Sequence, residues 1–290
     1  MPVRDNAGVI AVTGATGALG RRVVAALRGY DVAVRLLVRD PARAPNSPGA
    51  DVAVASYEDR PALTAALRGA HTVFLVSGHE DPNRVSLHLQ AVRACVDAGV
   101  DRVVYTSFMG AAPLASFTYA RDHARTERAI RDAGLRLTAL RSSLYADIVP
   151  LLVGDDGTLR GPAGNGRIAW VARADVARLA AAVLVDDGHA GAVYDVSGAQ
   201  AIDLDETARV LAAATGRDIR FHAETIDEAR ASRAGADDWE IEGWIGSYLG
   251  IATGEIGVTS HTVEHVTGRR PWSFAEFLEA EPDSWAHLRP

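Results

Sequence analysis

The sequence predicts an α/β protein of the Rossmann type, in which a doubly wound parallel sheet is followed by a smaller, mainly helical C-terminal lobe. Over residues 1–140, short β-branched runs alternate with amphipathic stretches, as in repeated strand–helix units. The β-branched runs are apolar throughout, which is typical of parallel strands covered on both faces. A glycine-rich turn follows the first run and opens the first helix.

The strand–helix units can be followed along the chain. Residues 9–13 form the first strand, and apolar residues then recur at helical spacing from Leu19 to Leu27. Further strands are predicted at 32–38, 52–55, 72–76, 103–106 and 137–140. Helices are predicted at 61–68, 84–98 and 117–133, each ending near a glycine.

The pattern changes after residue 150. Residues 154–166 are rich in glycine and predict a loop, residues 175–186 a buried helix, and residues 192–196 one more strand. From residue 203 onward helices dominate, interrupted by a short strand at 219–222. We therefore expect a first domain at residues 1–155 with a returning segment at 168–198, and a smaller lobe at 156–290.

Composition excludes several classes of protein. The 290 residues are 48% hydrophobic, and 37 acidic against 30 basic side chains give a net charge of −7 without a basic patch. This balance argues against a disordered chain and against nucleic-acid or membrane partners. One cysteine, Cys95, fits a reducing cytoplasm, and no apolar run approaches the ~20 residues of a membrane span. A homodimer is one assembly that the sequence leaves open.

The glycine-rich turn at residues 13–20 carries the strongest functional signal. Gly14 permits a tight turn, Gly17 removes a side chain where a ligand would lie, and Gly20 lets helix and strand pack closely. The start of a helix adds partial positive charge that favours phosphate. Because a strand precedes this G-x-x-G-x-x-G turn and a helix follows it, we predict a dinucleotide site.

The end of the second strand indicates which dinucleotide binds. Arg39 stands where an NAD-preferring site has an acidic residue, and a guanidinium pairs well with a ribose 2′-phosphate. NADP(H) is therefore the predicted cofactor. Asp40 leaves an alternative open, because a shift of one residue would place a carboxylate at the ribose.

Motifs along nearly the whole chain resemble the NmrA-like atypical short-chain dehydrogenases, and among them the type 2 NAD(P)H:quinone oxidoreductases and triphenylmethane reductases. The matching segments are residues 13–17, 37–41, 104–107, 123–127, 140–145, 161–167, 172–175 and 267–269. The His-x-x-Thr-Glu segment at 123–127 is the most specific of them. The resemblance implies an NADPH-binding domain and a small substrate-binding lobe.

The resemblance also assigns site residues. It implies that the pyrophosphate lies on Gly14, Thr16, Gly17, Ala18 and Leu19, and the 2′-phosphate on Arg39. It implies that the rest of the cofactor lies on Ser56, Tyr57, Val76, Ser77, Gly78, Thr106, Ser107, Phe108 and His123. Phe108, Met109 and Tyr145 are candidates for the substrate pocket. Ser56 and Ser142 depart from the family pattern, where Asp and Asn are usual.

The candidate catalytic residues are Tyr119, Ser107 and His123. Tyr119 and His123 share a helix face, but the lysine that lowers the tyrosine pKa in ordinary short-chain dehydrogenases is replaced by His123. Tyr119 is therefore either a proton donor or a wall of the pocket. His261, Glu264 and His265 have the spacing of a zinc site but lack a third ligand, so no metal is predicted.

Three functions are consistent with these residues. The first is an NADPH-dependent reductase that transfers hydride to a quinone or another conjugated small molecule, for which orientation of the nicotinamide suffices. The second is a non-catalytic regulator that senses NADP(H), as NmrA itself does. The third is a ketoreductase or ene-reductase of a biosynthetic pathway.

Overall fold

The computed structural model describes residues 8–289, in which strands and helices alternate up to β6. The strands are β1 Val9–Val12, β2 Val34–Val38, β3 Asp51–Val54, β4 Ala70–Leu75, β5 Arg102–Phe108, β6 Arg136–Ser142, β7 Thr158–Gly161, β8 Val193–Val196 and β9 Arg220–Ala223. The α-helices are α1 Ala18–Leu27, α2 Arg60–Leu67, α3 Arg84–Ala98, α4 Thr118–Asp132, α5 Arg173–Val185, α6 Leu204–Thr215, α7 Ile226–Ser232, α8 Asp238–Ala252, α9 Thr262–Thr267 and α10 Phe274–Ala280. The predicted helix at 84–98 is observed at those residues.

Seven strands form one sheet in the order β3-β2-β1-β4-β5-β6-β8. The pairs from β3 through β5 are parallel, and Ala11 in β1 lies opposite Arg35 on one side and Val73 on the other. The chain order reverses between β1 and β4, and in such sheets ligands bind beyond the carboxyl ends of the strands at the reversal. The predicted Rossmann-type fold class is confirmed.

A second, two-stranded sheet corrects the expectation of a loop at residues 154–166. Within this segment Thr158–Gly161 forms β7, which pairs in parallel with β9. Gly157, at φ +75°, turns the chain into the strand, and its carbonyl accepts from the Arg220 amide at 3.1 Å. The local glycine content hid this strand because its partner lies about 60 residues later, beyond any short-range sequence pattern.

The chain divides into two compact units. The first holds the chain up to Ser107 together with Ala124–Leu140 and Val176–Tyr194, and the second holds Phe108–His123, Arg141–Asp175 and the chain from Asp195 onward. Val73, Val103 and Leu137 lie in the core of the first unit. Trp170, Leu211 and Phe274 lie in the core of the second. The expected division into a cofactor domain and a substrate lobe stays a prediction.

Between residues 8 and 289, the chain has no helix that is long and apolar enough to cross a membrane.

Arg102 connects β5 to the end of α5 inside the first unit. The side chain is 0% exposed, and its guanidinium donates to the carbonyls of Val183 at 2.7 Å and Asp186 at 2.9 Å. Burial lowers the Arg102 pKa. The Asp187 carboxylate, 3.1 Å from Nη1, partly offsets this shift. Arg102 thus supplies donors for carbonyls at the end of α5 that lack helical partners.

Replacing Arg102 by Met should lower the free energy of unfolding by about 2–3 kcal/mol, because buried carbonyls lose charged donors. Urea denaturation followed by circular dichroism measures the change. Arg128→Met is the matched control, since Arg128 is 83% exposed and pairs with the exposed Asp132. Equal stability of the two variants would contradict the assigned role.

Candidate active site

The turn between β1 and α1 brings backbone against backbone. Gly14 has φ +58°, a region that favours glycine, and its carbonyl accepts from the Gly17 amide at 2.9 Å. A Cβ added at Gly20 would lie 2.1 Å from the Gly14 carbonyl oxygen. Only glycine at position 20 therefore allows α1 to pack this closely against the turn.

The first turn of α1 has backbone amides that no side chain caps. Gly17 is the N-cap residue, so no side chain caps the helix. Gly14, Gly17 and Ala18 are exposed, and a Cβ at Gly17 would meet only the Gly14 oxygen, at 3.2 Å. Amides at a helix start bind anions, so the amides from Ala18 onward fit the pyrophosphate of a dinucleotide, while Gly14 and Gly17 leave space for it. Leu19 is buried and can offer only its amide, while Thr16 is half-buried.

The two candidates at the end of β2 differ in what their side chains do. The Asp40 carboxylate accepts from the Ala42 amide at 2.9 Å and caps the 3-10 helix Pro41–Arg43. Arg39 is exposed and makes no hydrogen bond or ion pair with any residue between 8 and 289. This geometry favours Arg39 over Asp40 as the residue that recognises the cofactor ribose.

Side chains from three parts of the first unit hold residues 76–78, which follow β4. The amides of Val76, Ser77 and Gly78 each donate to a side chain. The acceptors are Thr13 Oγ1 at 2.9 Å, Thr106 Oγ1 at 2.6 Å and His88 Nε2 at 2.9 Å. Residues 76–78, named here the β4 segment, therefore have a fixed backbone although they lie outside the sheet.

Tyr57 forms a further hydrogen bond to the β4 segment. Its hydroxyl donates to the Val76 carbonyl at 2.6 Å and lies 2.6 Å from Thr13 Oγ1. Burial raises the pKa of this phenol, so it stays protonated. Tyr57 and its neighbour Ser56 are half-buried, so what Tyr57 can offer an adenine is its ring rather than its hydroxyl.

Ser107 lies at the end of β5 and is bonded to the buried Glu127. Its hydroxyl donates to Glu127 Oε1 at 2.6 Å, while Oε2 accepts from Arg131 at 3.1 Å. Because a serine hydroxyl has one proton, this bond makes its oxygen an acceptor toward a ligand. The geometry thus argues against Ser107 as a proton donor; its predicted place beside the cofactor stays a prediction.

Several aromatic side chains pack against one another within residues 108–123 of the second unit. The Phe108 ring lies 4.9 Å from Phe117 and stacks on His123 at 6.2 Å, and Phe117 lies 5.2 Å from Tyr119. Tyr119 is 8% exposed, and a Cβ added at Gly243 would lie 3.0 Å from its ring. This packing favours a wall role for Tyr119 over a proton donor.

The other substrate-pocket candidates also lie in the second unit. Met109 is buried, and its amide donates to the Ser142 carbonyl at 2.9 Å. The Arg173 guanidinium lies 4.4 Å from the Tyr145 ring centre and covers one ring face. Burial raises the Tyr145 pKa, while Ser142 and Arg173 oppose the shift. Tyr145 therefore has only its other face to offer a substrate.

Sequence reasoning missed several residues that build the site. Arg84 and His88 on α3 form hydrogen bonds to the β4 segment. On α4, Thr126 is hydrogen-bonded to His88, and Glu127 to Ser107. A signal for the last two was available, because they belong to the His-x-x-Thr-Glu segment, where only His123 received a role. His261, by contrast, is 96% exposed, and the described part of the chain has no group of three or more candidate metal ligands.

Similarity to known proteins identifies the family of the chain. A family model described as NAD(P)H-binding matches residues 14–187. Quinone oxidoreductase 2 of Escherichia coli is 32% identical over 280 residues, which cover 92% of this chain and 96% of that protein. A (4-alkanoyl-5-oxo-2,5-dihydrofuran-3-yl)methyl phosphate reductase of Streptomyces griseus is 36% identical over 283 residues, which cover 94% and 99% respectively.

Solved structures show the same fold. The NADPH complex of the Escherichia coli quinone oxidoreductase has a TM-score of 0.85 at 31% identity, over 93% of this chain and 99% of that one. The NADP(H) complex of Citrobacter sp. triphenylmethane reductase has a TM-score of 0.83 at 28% identity, over 93% and 99%. The regulator NmrA, at 14% identity and a TM-score of 0.77, shares the fold alone. The chain belongs to the NAD(P)H-binding, NmrA-like family.

Proposed function

We propose that this protein is an NADPH-dependent reductase that transfers hydride to a quinone or another conjugated small-molecule electrophile. The observation that carries the proposal is the bare N-terminus of α1 behind a turn that only glycine can build. Bound NADPH would supply the hydride. The residues of this chain would bind and orient the cofactor, with Arg39 recognising the 2′-phosphate and the β4 segment lying beside it.

The side chains near the predicted nicotinamide site suit acceptors that need no protein acid. Position 123 is histidine rather than lysine, and the Ser107 hydroxyl donates to Glu127. Conjugated acceptors can take hydride first and a proton from water afterwards, so orientation of the reactants supplies the catalysis.

One relative favours a second candidate substrate within this class. The Streptomyces griseus protein is named for reduction of an alkanoyl-dihydrofuranone phosphate, whose ring double bond is conjugated with carbonyl groups. We propose such activated alkenes as the alternative acceptor, which would make this protein an ene-reductase. We also propose a small-molecule substrate and a cytoplasmic location, in accord with the single buried Cys95.

Purified protein should oxidise NADPH in the presence of at least one conjugated acceptor, measured as loss of NADPH absorbance. The panel contains a benzoquinone, a naphthoquinone, an azo dye and an acyl butenolide, with a simple aliphatic ketone as the negative control. Tight NADPH binding without turnover of any acceptor would contradict the proposal and favour the NADP(H)-sensing regulator.

Arg39→Ala should raise the KM for NADPH about 10- to 100-fold and change the KM for NADH less than about twofold, since only NADPH carries the 2′-phosphate. Steady-state kinetics with both cofactors measure the change. Arg43→Ala is the control, because Arg43 is also exposed but lies in the 3-10 helix. Equal losses with NADPH and NADH would assign Arg39 a different role.

Tyr119→Phe should keep kcat for a quinone within about threefold of the wild-type value, because the ring packing is retained and no proton transfer depends on the hydroxyl. General acid catalysis typically contributes about 10²- to 10⁴-fold, so a loss of about 100-fold would contradict a wall role without proton transfer. A pH profile of kcat would then separate a titrating donor from a packing defect.

A further inference from the structure

Gly78, the last residue of the β4 segment, is held on both sides of its backbone by one helix. Its amide donates to His88 Nε2 at 2.9 Å, and its carbonyl accepts from Arg84 Nε at 3.0 Å. Arg84 and His88 are four residues apart in α3 and therefore share a helix face. Two side chains of a fixed helix thus define where Gly78 lies.

The bond from Gly78 fixes the protonation state of His88. An imidazole nitrogen accepts from an amide only when it carries no proton, so Nε2 is bare and the proton lies on Nδ1. Nδ1 is 2.9 Å from Thr126 Oγ1, which accepts this proton. His88 is 0% exposed, and burial together with Arg84 lowers its pKa to about 3, which keeps the ring neutral.

The β4 segment lies directly beside the glycine turn. A Cβ added at Gly14 would be 3.2 Å from Val76 Cβ, so the Val76 side chain lies next to Gly14 at the reversal of strand order. A displacement of the β4 segment would therefore change the surface on which a dinucleotide lies.

We propose that His88 is a positioning residue for the dinucleotide: it accepts the Gly78 amide proton, is oriented by Thr126, and thereby holds the β4 segment in the conformation that binds NADPH. His88 does not touch the reacting atoms. Its effect is on the affinity for the cofactor, so the inference depends on the family assignment and not on which acceptor is reduced.

Two substitutions of His88 test the roles of Nε2 and Nδ1 separately. In His88→Gln the side-chain amide reaches the place of Nε2 and can accept from Gly78, whereas in His88→Asn it reaches only the place of Nδ1. We expect His88→Asn to raise the Kd for NADPH about tenfold and His88→Gln to keep it within about threefold. Quenching of tryptophan fluorescence on titration with NADPH measures Kd without any turnover.

The apo thermal midpoint of each variant, followed by circular dichroism, supplies the readout for a merely structural role. Equal Kd values for the Asn and Gln variants at a temperature where both are folded would overturn the proposal. If His88→Asn does not fold, the Kd values of Thr126→Val and Thr126→Ser test the proposal instead. The valine variant should raise Kd severalfold and the serine variant should restore it; equal binding by these two would overturn the proposal as well.

Discussion

The Thr13 hydroxyl is the interaction on which the site depends. It donates to the Phe74 carbonyl at 3.0 Å, accepts from the Val76 amide at 2.9 Å and lies 2.6 Å from the Tyr57 hydroxyl. One small side chain therefore ties the end of β1 to residues 74 and 76 at the end of β4, where Tyr57 also donates to the Val76 carbonyl. The glycine turn begins at the next residue, so its position follows from these bonds.

The same principle extends through the first unit. A ligand-binding edge of a parallel sheet has backbone groups that no further strand can satisfy, and buried polar groups without partners are costly. Here short hydroxyls and one neutral imidazole satisfy them from within, at Thr13, Thr106 and His88. Gly14 and Gly17 have no side chain on the exposed part of the turn, which leaves room for phosphate beside the amides that no side chain caps.

The sequence was sufficient where the determinants are local. The alternation of strands and helices, the glycine turn and the helix at 84–98 all depend on near neighbours, and all are found in the structure. Pairing over long distances was not visible: β7 depends on β9, and the Ser107–Glu127 bond joins residues 20 positions apart on different elements. The uncertainty between Arg39 and Asp40 was reduced only by the capping bond to Ala42, a detail of three-dimensional geometry.

The buried imidazole of His88 has a consequence for the response of the fold to acid. Its pKa in the folded chain, about 3, lies below the ordinary value of 6.5, so the unfolded chain binds a proton more readily. Stability therefore falls as the pH drops from about 6.5 toward 3, and the loss ends where the folded protein also takes up the proton. A protonated ring cannot accept the Gly78 amide, and the neighbouring Arg84 guanidinium would repel it. The bond that shapes the β4 segment thus links the integrity of this edge of the sheet to the acidity of its surroundings.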